Sequence, residues 1–351
     1  MSKCTLISRK GFMEYEIELK LLTNEQAGEI IETKLLSQLN ASVTQETQIL
    51  TNHYFDTPDR TLRHHDIGLR IRGNNLKYEQ TLKTAGKSIG GLHQRPEYNV
   101  QLDESKEQNI SLPKLRLFPL SAWPKTIDVE ELQAKIEPLF TTHFKRQIYL
   151  LTFSGGDIVE LVWDLGEVTS GNKSEPICEI ELELKKGSTE ALFKIAKCIV
   201  SLLPTTIGIN SKAALGYKLC DGLPVKKCEQ YQQNLPKTET EKLVSFLTLR
   251  LQDFQMLSVE IRRHYSVELA ANINQVLIAL VDDLDVFNHH FPCPPVNLIH
   301  VKLKTLVDDW ALVMQQNDKN SIYNLLVKAQ TTQLQLELVQ CLVEQPWSSN
   351  L

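Results

Sequence analysis

The chain has 351 residues, 42% hydrophobic and 23% charged, and a formal net charge of −5. That composition excludes a wholly disordered protein, and its acidic balance argues against a protein that coats nucleic acid through a broad basic surface. No nucleic-acid partner is expected, any anion site has to be local, and the length suits two domains of about 100–200 residues each.

Residues 1–13 carry Lys3, Arg9 and Lys10 but no continuous apolar run, so they read as an N-terminal extension rather than a signal peptide. No later segment is apolar over a membrane-spanning length, and no membrane association is expected. Cys4, Cys178, Cys198, Cys220, Cys228, Cys293 and Cys341 are scattered, odd in number and never in a Cys-x-x-Cys pair. That usage points to a reducing, cytoplasmic setting.

From Glu14 to Tyr217, period-two alternation broken by turn signals predicts mostly antiparallel β-structure with two short helices. Glu16-Ile17-Glu18-Leu19-Lys20 is followed by Thr23 or Asn24 as a cap and an amphipathic helix to about Leu39. Glu181-Leu182-Glu183-Leu184-Lys185 is followed by Ser188 as a cap and a helix to about Leu203. The same strand-then-helix unit at both ends of the β region suggests pseudo-twofold symmetry.

Alternate side chains of a strand share a face. Glu14, Glu16, Glu18 and Lys20 therefore lie together, as do Glu179, Glu181, Glu183 and Lys185, with apolar residues behind both rows. Carboxylates two residues apart sit about 6.6 Å from each other and repel by roughly 2–3 kcal/mol at an effective dielectric of about 20. One such strand alone fits a solvated outer sheet face equally well. The apolar backs, the helices able to cover them, and basic alternation elsewhere favour another arrangement. Arg70 alternates with Arg72, Lys77 with Lys83, and Arg95 stands near Glu97. If the apolar faces look outward under helices, the charged faces line a lumen. Ions buried there need pairing, and a divalent cation with a polyphosphate would compensate both signs, hard oxygen ligands suiting Mg²⁺ or Mn²⁺.

Residues 221–236, with Pro224 and Pro236, read as a linker. Beyond it Leu243, Phe246, Leu247, Leu251 and Phe254, then Val276, Leu277, Leu280, Val281 and Leu284, recur at helical spacing. Further helices are predicted at about 297–316 and 320–343, with Pro292, Pro294 and Pro295 separating the second pattern from the third. Residues 237–351 thus form a small helical bundle.

At these residues the sequence resembles the CYTH superfamily of triphosphate tunnel metalloenzymes, whose hallmark Glu-x-Glu-x-Lys stands here at Glu16–Lys20. Further matching stretches follow in order: Tyr54–Asp59, Gly68–Arg72, Thr81–Lys83, Gln94–Glu97, Arg146, Asp164 in Trp163–Gly166, Glu179–Lys185 and Ser211-Lys212. The resemblance covers about 14–218 and is strongest to bacterial inorganic triphosphatases carrying a C-terminal helical CHAD domain. It implies an α+β protein: a closed antiparallel β-barrel with flanking helices over 14–220, then a short, divergent CHAD-like all-α bundle over 237–351.

The resemblance further implies that Glu16, Glu18, Glu181 and Glu183 supply metal ligands for Mg²⁺ or Mn²⁺, with Glu179 and Asp164 supporting them or holding a second ion. Glu16, Glu18 and Glu183 become the catalytic candidates. Lys20, Arg70, Arg72, Lys83, Arg95, Arg146, Lys185 and Lys212 would grip the phosphates, arginine as a planar fork and lysine as a point charge. The implied reaction is hydrolysis of inorganic triphosphate to pyrophosphate and phosphate. Another CYTH-type activity on a triphosphate tail (adenylate cyclase, thiamine or nucleoside triphosphatase) and a non-catalytic polyphosphate-binding scaffold stand as alternatives.

CHAD domains are basic and associated with polyphosphate. Residues 237–351 instead hold nine Lys and Arg against thirteen Asp and Glu, a local balance of −4 that disfavours polyphosphate there. A protein or polyphosphate partner of the bundle stays open. Gly86-Lys87-Ser88 resembles the end of a P-loop, but Thr81 stands where the first glycine belongs and a strand follows, so it reads as a flexible loop whose Lys87 can still reach an anion.

Overall fold

The computed structural model describes residues 12–74, 77–102, 112–222, 238–316 and 318–347. The expected N-terminal extension and linker fall almost wholly outside the described residues. The alternating segments form β1 (Phe12–Leu22), β2 (Ala41–Asp56), β3 (Gly68–Asn74), β4 (Lys77–Lys83), β5 (Lys87–Ile89), β6 (Leu92–Leu102), β7 (Glu137–Phe153), β8 (Ile158–Ser170), β9 (Lys173–Lys186) and β10 (Thr206–Ile207). Antiparallel pairing runs β1-β9-β8-β7-β2-β3-β4-β6, and β6 returns to β1 over Phe12–Leu19, closing an eight-stranded barrel. The short strands β5 and β10 add to β6 and β1. Closure leaves the barrel no open hydrogen-bonding edge and divides each strand into lumen-facing and outward residues.

The helices between strands are α1 (Ala27–Ile30), which continues through a π turn at Ile31–Leu35 into α2 (Leu36–Gln38), then α3 (Thr61–His64), α4 (Val129–Lys135), α5 (Thr189–Leu202) and α6 (Lys212–Asp221). The expected caps need correction. Gln26 precedes the first helix, and Asn24 Oδ1 accepts from the Gln26 amide in the preceding turn. Ser188 does sit at the start of α5, but its side chain makes no capping bond.

Leu19, Leu21, Ile180 and Leu182 are buried outside the barrel against Ala27, Ile31 and Leu35 of the first helical run and Leu192, Phe193, Ile195 and Ile199 of α5. On the opposite wall Leu69, Ile71, Leu82, Tyr98 and Val100 pack under Leu115, Phe118, Trp123 and Leu132. With apolar faces covered from outside, the glutamate rows turn inward.

A third cluster lies inside the barrel. Tyr54 of β2, Phe140 and Phe144 of β7, Val168 of β8 and Ile177 of β9 occupy lumen-facing positions and pack on Tyr217 of α6. Helix α6 thus plugs the end where β1, β2 and β4 finish and β3, β6, β7 and β9 begin. Its Gly216 meets the Phe140 ring so closely that a Cβ there would lie 2.0 Å from Phe140 Cε2. Tyr217 donates a hydrogen bond to the fully buried Asp56, which also accepts from the amides of Thr57, Leu62 and Arg63 and from the Thr57 hydroxyl.

The C-terminal region is helical: α7 (Glu239–Arg263), α8 (Val267–His290), α9 (Pro294–Gln316), α10 (Lys319–Val327) and α11 (Ala329–Glu344). The proline cluster divides α8 from α9 as expected. The single helix expected over 320–343 is two, because Lys328 has an extended ψ of 134°. Thr331 satisfies the carbonyl of Leu325 freed by this break, while Thr332 donates to Thr205 of the barrel region.

Barrel side and helical region share one continuous apolar core, from Leu21 and Phe193 through Leu251 and Val339 to Trp310. Gly90, between β5 and β6, has φ +51°, and a Cβ on it would stand 2.5 Å from Val339 and 2.7 Å from Leu251. Arg262 donates to Thr206 and Gln255 to the Gly90 carbonyl. Cys178, Cys198, Cys220, Cys293 and Cys341 are free thiols. Among the described residues no helix is long and apolar enough to cross a membrane.

Candidate active site

The unplugged part of the lumen encloses about 240 Å³. All eight basic residues expected at the site line it, namely Lys20, Arg70, Arg72, Lys83, Arg95, Arg146, Lys185 and Lys212, together with Glu16, Glu18, Glu181 and Glu183. Glu14, Glu79, Glu97 and Glu160 complete a wall of eight basic and eight acidic side chains. Lys77 lies on β4, but its side chain falls outside the described residues. Glu179 and Asp164, expected beside a metal, do not reach the cavity surface and are 1% and 0% exposed.

These two carboxylates form the floor, next to the N-terminus of α6. Lys20 Nζ lies 2.8 Å from Glu179 and 2.7 Å from Glu181, and Lys212 Nζ lies 2.6 Å from Asp164 and 2.9 Å from Glu181. Lys212 also bonds Glu179. Arg146 binds Asp164 as a two-pronged fork at 2.7 and 2.6 Å, and reaches Glu181 at 2.8 Å. Burial would neutralise Asp164, Glu181 and the three cations, but the opposite charges win. Arg146 and Lys212 hold Asp164 below its ordinary value, and Lys20, Lys212 and Arg146 hold Glu181 well below its own. Asp164, Glu179 and Glu181 offer oxygens within 4.8 Å of one another. Lys20, Lys212 and Arg146 pair with that cluster, whose oxygens are also close enough together to share one metal ion.

Above the floor the compensation is incomplete. Lys83 Nζ pairs with Glu16 at 2.6 Å and Glu97 at 2.9 Å, and Arg95 stands 3.6 Å from Glu16. Lys185 pairs with Glu183 at 2.7 Å. Glu18, 7% exposed, has no hydrogen-bonded cation among the described residues; the Lys20 ammonium stands 3.8 Å away. Desolvation, then the neighbouring Glu181, pushes its carboxyl up to about 8. Opposite in sign, Arg72 donates from Nε to Asn52 at 2.8 Å and makes no ion pair among the described residues. Burial, with Arg70 and Arg146 nearby, depresses its guanidinium to about 9, still charged at neutral pH. The buried Nε atoms of Arg70 and Arg95 also lack hydrogen-bond partners.

Among the described residues the lumen therefore holds a carboxyl with no hydrogen-bonded cation, and guanidinium nitrogens of Arg70 and Arg95 whose nearest carboxylates, at 3.9 and 3.6 Å, lie beyond hydrogen-bond reach. Glu18, flanked by Glu16, Glu181 and Glu183, fits a hard divalent cation, which favours anionic oxygen ligands. Arg72, Arg70 and Arg95 fit the oxygens of a phosphate.

Several residues in or beside the site escaped the sequence reading. Glu160 shares parity with Asp164 on β8, and Glu79 with Lys83 on β4, so alternation alone pointed to both. Asn52 and His93 carried no charge pattern to mark them. His93 pairs across the sheet with Glu18, and desolvation, then Arg95, lowers its imidazole to about 3, keeping it neutral.

The CYTH domain family matches residues 14–214, the segment that builds the barrel, the charged wall and the start of the plug. An inorganic triphosphatase of Haemophilus influenzae is 35% identical over 210 residues, covering 60% of this chain and 56% of that protein. The chain thus spans about half the length of this curated relative. Among solved structures, an adenylyl cyclase candidate from Hippeastrum, described as having a dominant triphosphatase activity, aligns at 20% identity and TM-score 0.40 over 60% of this chain and 99% of that one. A protein of Pyrococcus horikoshii aligns at 19% identity and TM-score 0.37, over 57% and 97% respectively. With its matching segment covering more than half its length and folded as a closed barrel around paired charge, the chain belongs to the CYTH family.

Proposed function

We propose that this protein hydrolyses inorganic triphosphate to pyrophosphate and orthophosphate inside the barrel, with Mg²⁺ or Mn²⁺ as cofactor. The observation that carries this reading is the coexistence, in one cavity, of the Glu18 carboxyl, which has no hydrogen-bonded cation, and the Arg72 guanidinium, which has no ion pair among the described residues. A cation that replaces the proton on Glu18, together with an anion on Arg72, pairs both groups; without the anion Arg72 stays a buried, unpaired charge.

Glu16, Glu18, Glu181 and Glu183 would hold the ion, which would neutralise charge on the phosphate oxygens. Glu179 and Asp164 act from behind, fixing Lys20, Lys212 and Arg146 so that these point into the lumen. Arg70, Arg72, Lys83 and Arg95 grip the chain from one wall and Lys185 from nearer the mouth. Water attacks a terminal phosphorus in line. A new P–O bond forms, the bridging P–O bond breaks, and pyrophosphate departs with that electron pair. Positioning and charge stabilisation carry most of the rate in such transfers. Among the glutamates, Glu183 is suited to orient the water, because desolvation raises its carboxyl and so favours accepting a proton.

Among the described residues the cavity wall offers one aromatic ring, Tyr54, already stacked on Phe140 at 4.6 Å. That leaves little to recognise a nucleobase or a thiamine ring, and favours the inorganic substrate. The test is phosphate release from tripolyphosphate, ATP, thiamine triphosphate and long polyphosphate, each with Mg²⁺, Mn²⁺ or Ca²⁺. Tripolyphosphate should be turned over fastest, and only with metal. Tight binding without release from any of them would replace the enzyme with a scaffold.

A further inference from the structure

A second chamber of about 220 Å³ lies at the plugged end of the barrel. It shares Arg95 and Ser211 with the central cavity, so the two adjoin. Its remaining wall comes from the turns around the barrel end and from Gln252 and Met256 of α7. The helical region therefore closes a space that the barrel alone leaves open. Among the described residues the chamber's charged side chains are Arg63, Lys87 and Arg95 against one carboxylate, Asp66. Ser211, at its boundary, is the residue that caps α6, and the positive end of that ten-residue helix points at the junction of the two spaces.

We propose that this chamber is a phosphate subsite and back exit, receiving the orthophosphate split from the inner end of the bound chain. For the origin of its ligand the inference rests on the triphosphatase reading. The mouth of the central cavity lies at the opposite end, where Glu14 is exposed, and the departing pyrophosphate and its cation occupy that side. An anion released beside Arg95 has the floor network behind it and a basic chamber alongside. Lys87, the residue of the P-loop-like turn that the central site does not use, reaches into the chamber from an exposed position, and Arg63 reaches in from over the Tyr217 ring. Among the described residues its apolar side chains are Ile209, Ala214 and Met256, and its one aromatic ring is the imidazole of His93. A small inorganic oxyanion suits it better than a nucleoside.

The test titrates the full-length protein with orthophosphate by calorimetry, for wild type, an Arg63→Ala/Lys87→Ala double variant, and Arg72→Ala. The double variant should weaken orthophosphate binding about tenfold or more while kcat/KM for tripolyphosphate stays within about twofold, since each lost charge-assisted contact carries a factor of that order. Arg72→Ala should leave this orthophosphate binding in place. A Lys87→Glu variant, altered only at an exposed side chain, should reproduce the loss and guards against misfolding of the double variant. Orthophosphate affinity unchanged in both Lys87 variants, or lost in Arg72→Ala alone, overturns the subsite. If wild type releases no phosphate from tripolyphosphate yet the Lys87 variants still lose orthophosphate, the subsite stands and the catalytic reading falls.

Discussion

At neutral pH the Glu18 carboxyl, pushed up to about 8 by burial and by Glu181, is largely protonated in the free protein. Its folded value lies above the ordinary 4.5, so its contribution to stability is complete below pH 4.5 and is lost as the pH rises through about 8. Glu18→Gln should therefore leave the melting temperature of the metal-free protein unchanged at pH 4.5 and raise it at pH 8.5, as scanning calorimetry would register. The same proton competes with a cation. Affinity for Mg²⁺ or Mn²⁺ should climb by about tenfold per pH unit below pH 8, with proton release measurable by calorimetry in two buffers and absent in Glu18→Gln. That variant should also abolish turnover at any substrate concentration, and activity near wild type would remove Glu18 from the ligand set. Arg72→Ala should lower kcat/KM by about a hundredfold or more through both constants, because its guanidinium meets charge that grows in the transition state. Steady-state kinetics with unchanged values would exclude Arg72 from the site.

Among the elements, α6 has the largest effect on the site for its length, since it seals the lumen and delivers Ser211 and Lys212 to the floor. Gly216 lets it seat against Phe140. Gly216→Ala should cost about 1–3 kcal/mol by overpacking, seen in urea denaturation, and should lower kcat more than KM by shifting Lys212. The strands and their facing were legible because period-two alternation of glutamate against leucine and isoleucine leaves only two faces to choose between, and the helices after β1 and β9 decided which was outside. The direction of Glu179 was legible by the same parity, but its partner choice was not. Whether a carboxylate faces a metal or a lysine depends on side chains that converge from β1, β7, β8 and α6, which no local pattern reports. The helix break at Lys328 was hidden for a similar reason. Nothing in its neighbourhood is a glycine or proline, and the hydroxyls that stabilise the break find their acceptors at Leu325 and, in the barrel region, at Thr205.

Across the whole molecule, the apolar core passes from barrel to helical bundle without a seam, so we propose that the expected division at residues 221–236 separates two regions that unfold together. Wild type should show one cooperative transition in urea. Gly90→Val, which adds a β-branched side chain at φ +51° against Val339 and Leu251, should cost about 2 kcal/mol or more and split that transition in two, the bundle melting first. The turn at Gly90 leads directly into β6, and β6 carries His93, Arg95 and Glu97 along the lumen. A partner that pulled α7 and α11 away from this turn would also shift that strand. By the reciprocity of linked equilibria, a filled lumen would resist the pull with the same free energy. The bundle and the tunnel would then report on each other's occupancy without sharing a single ligand.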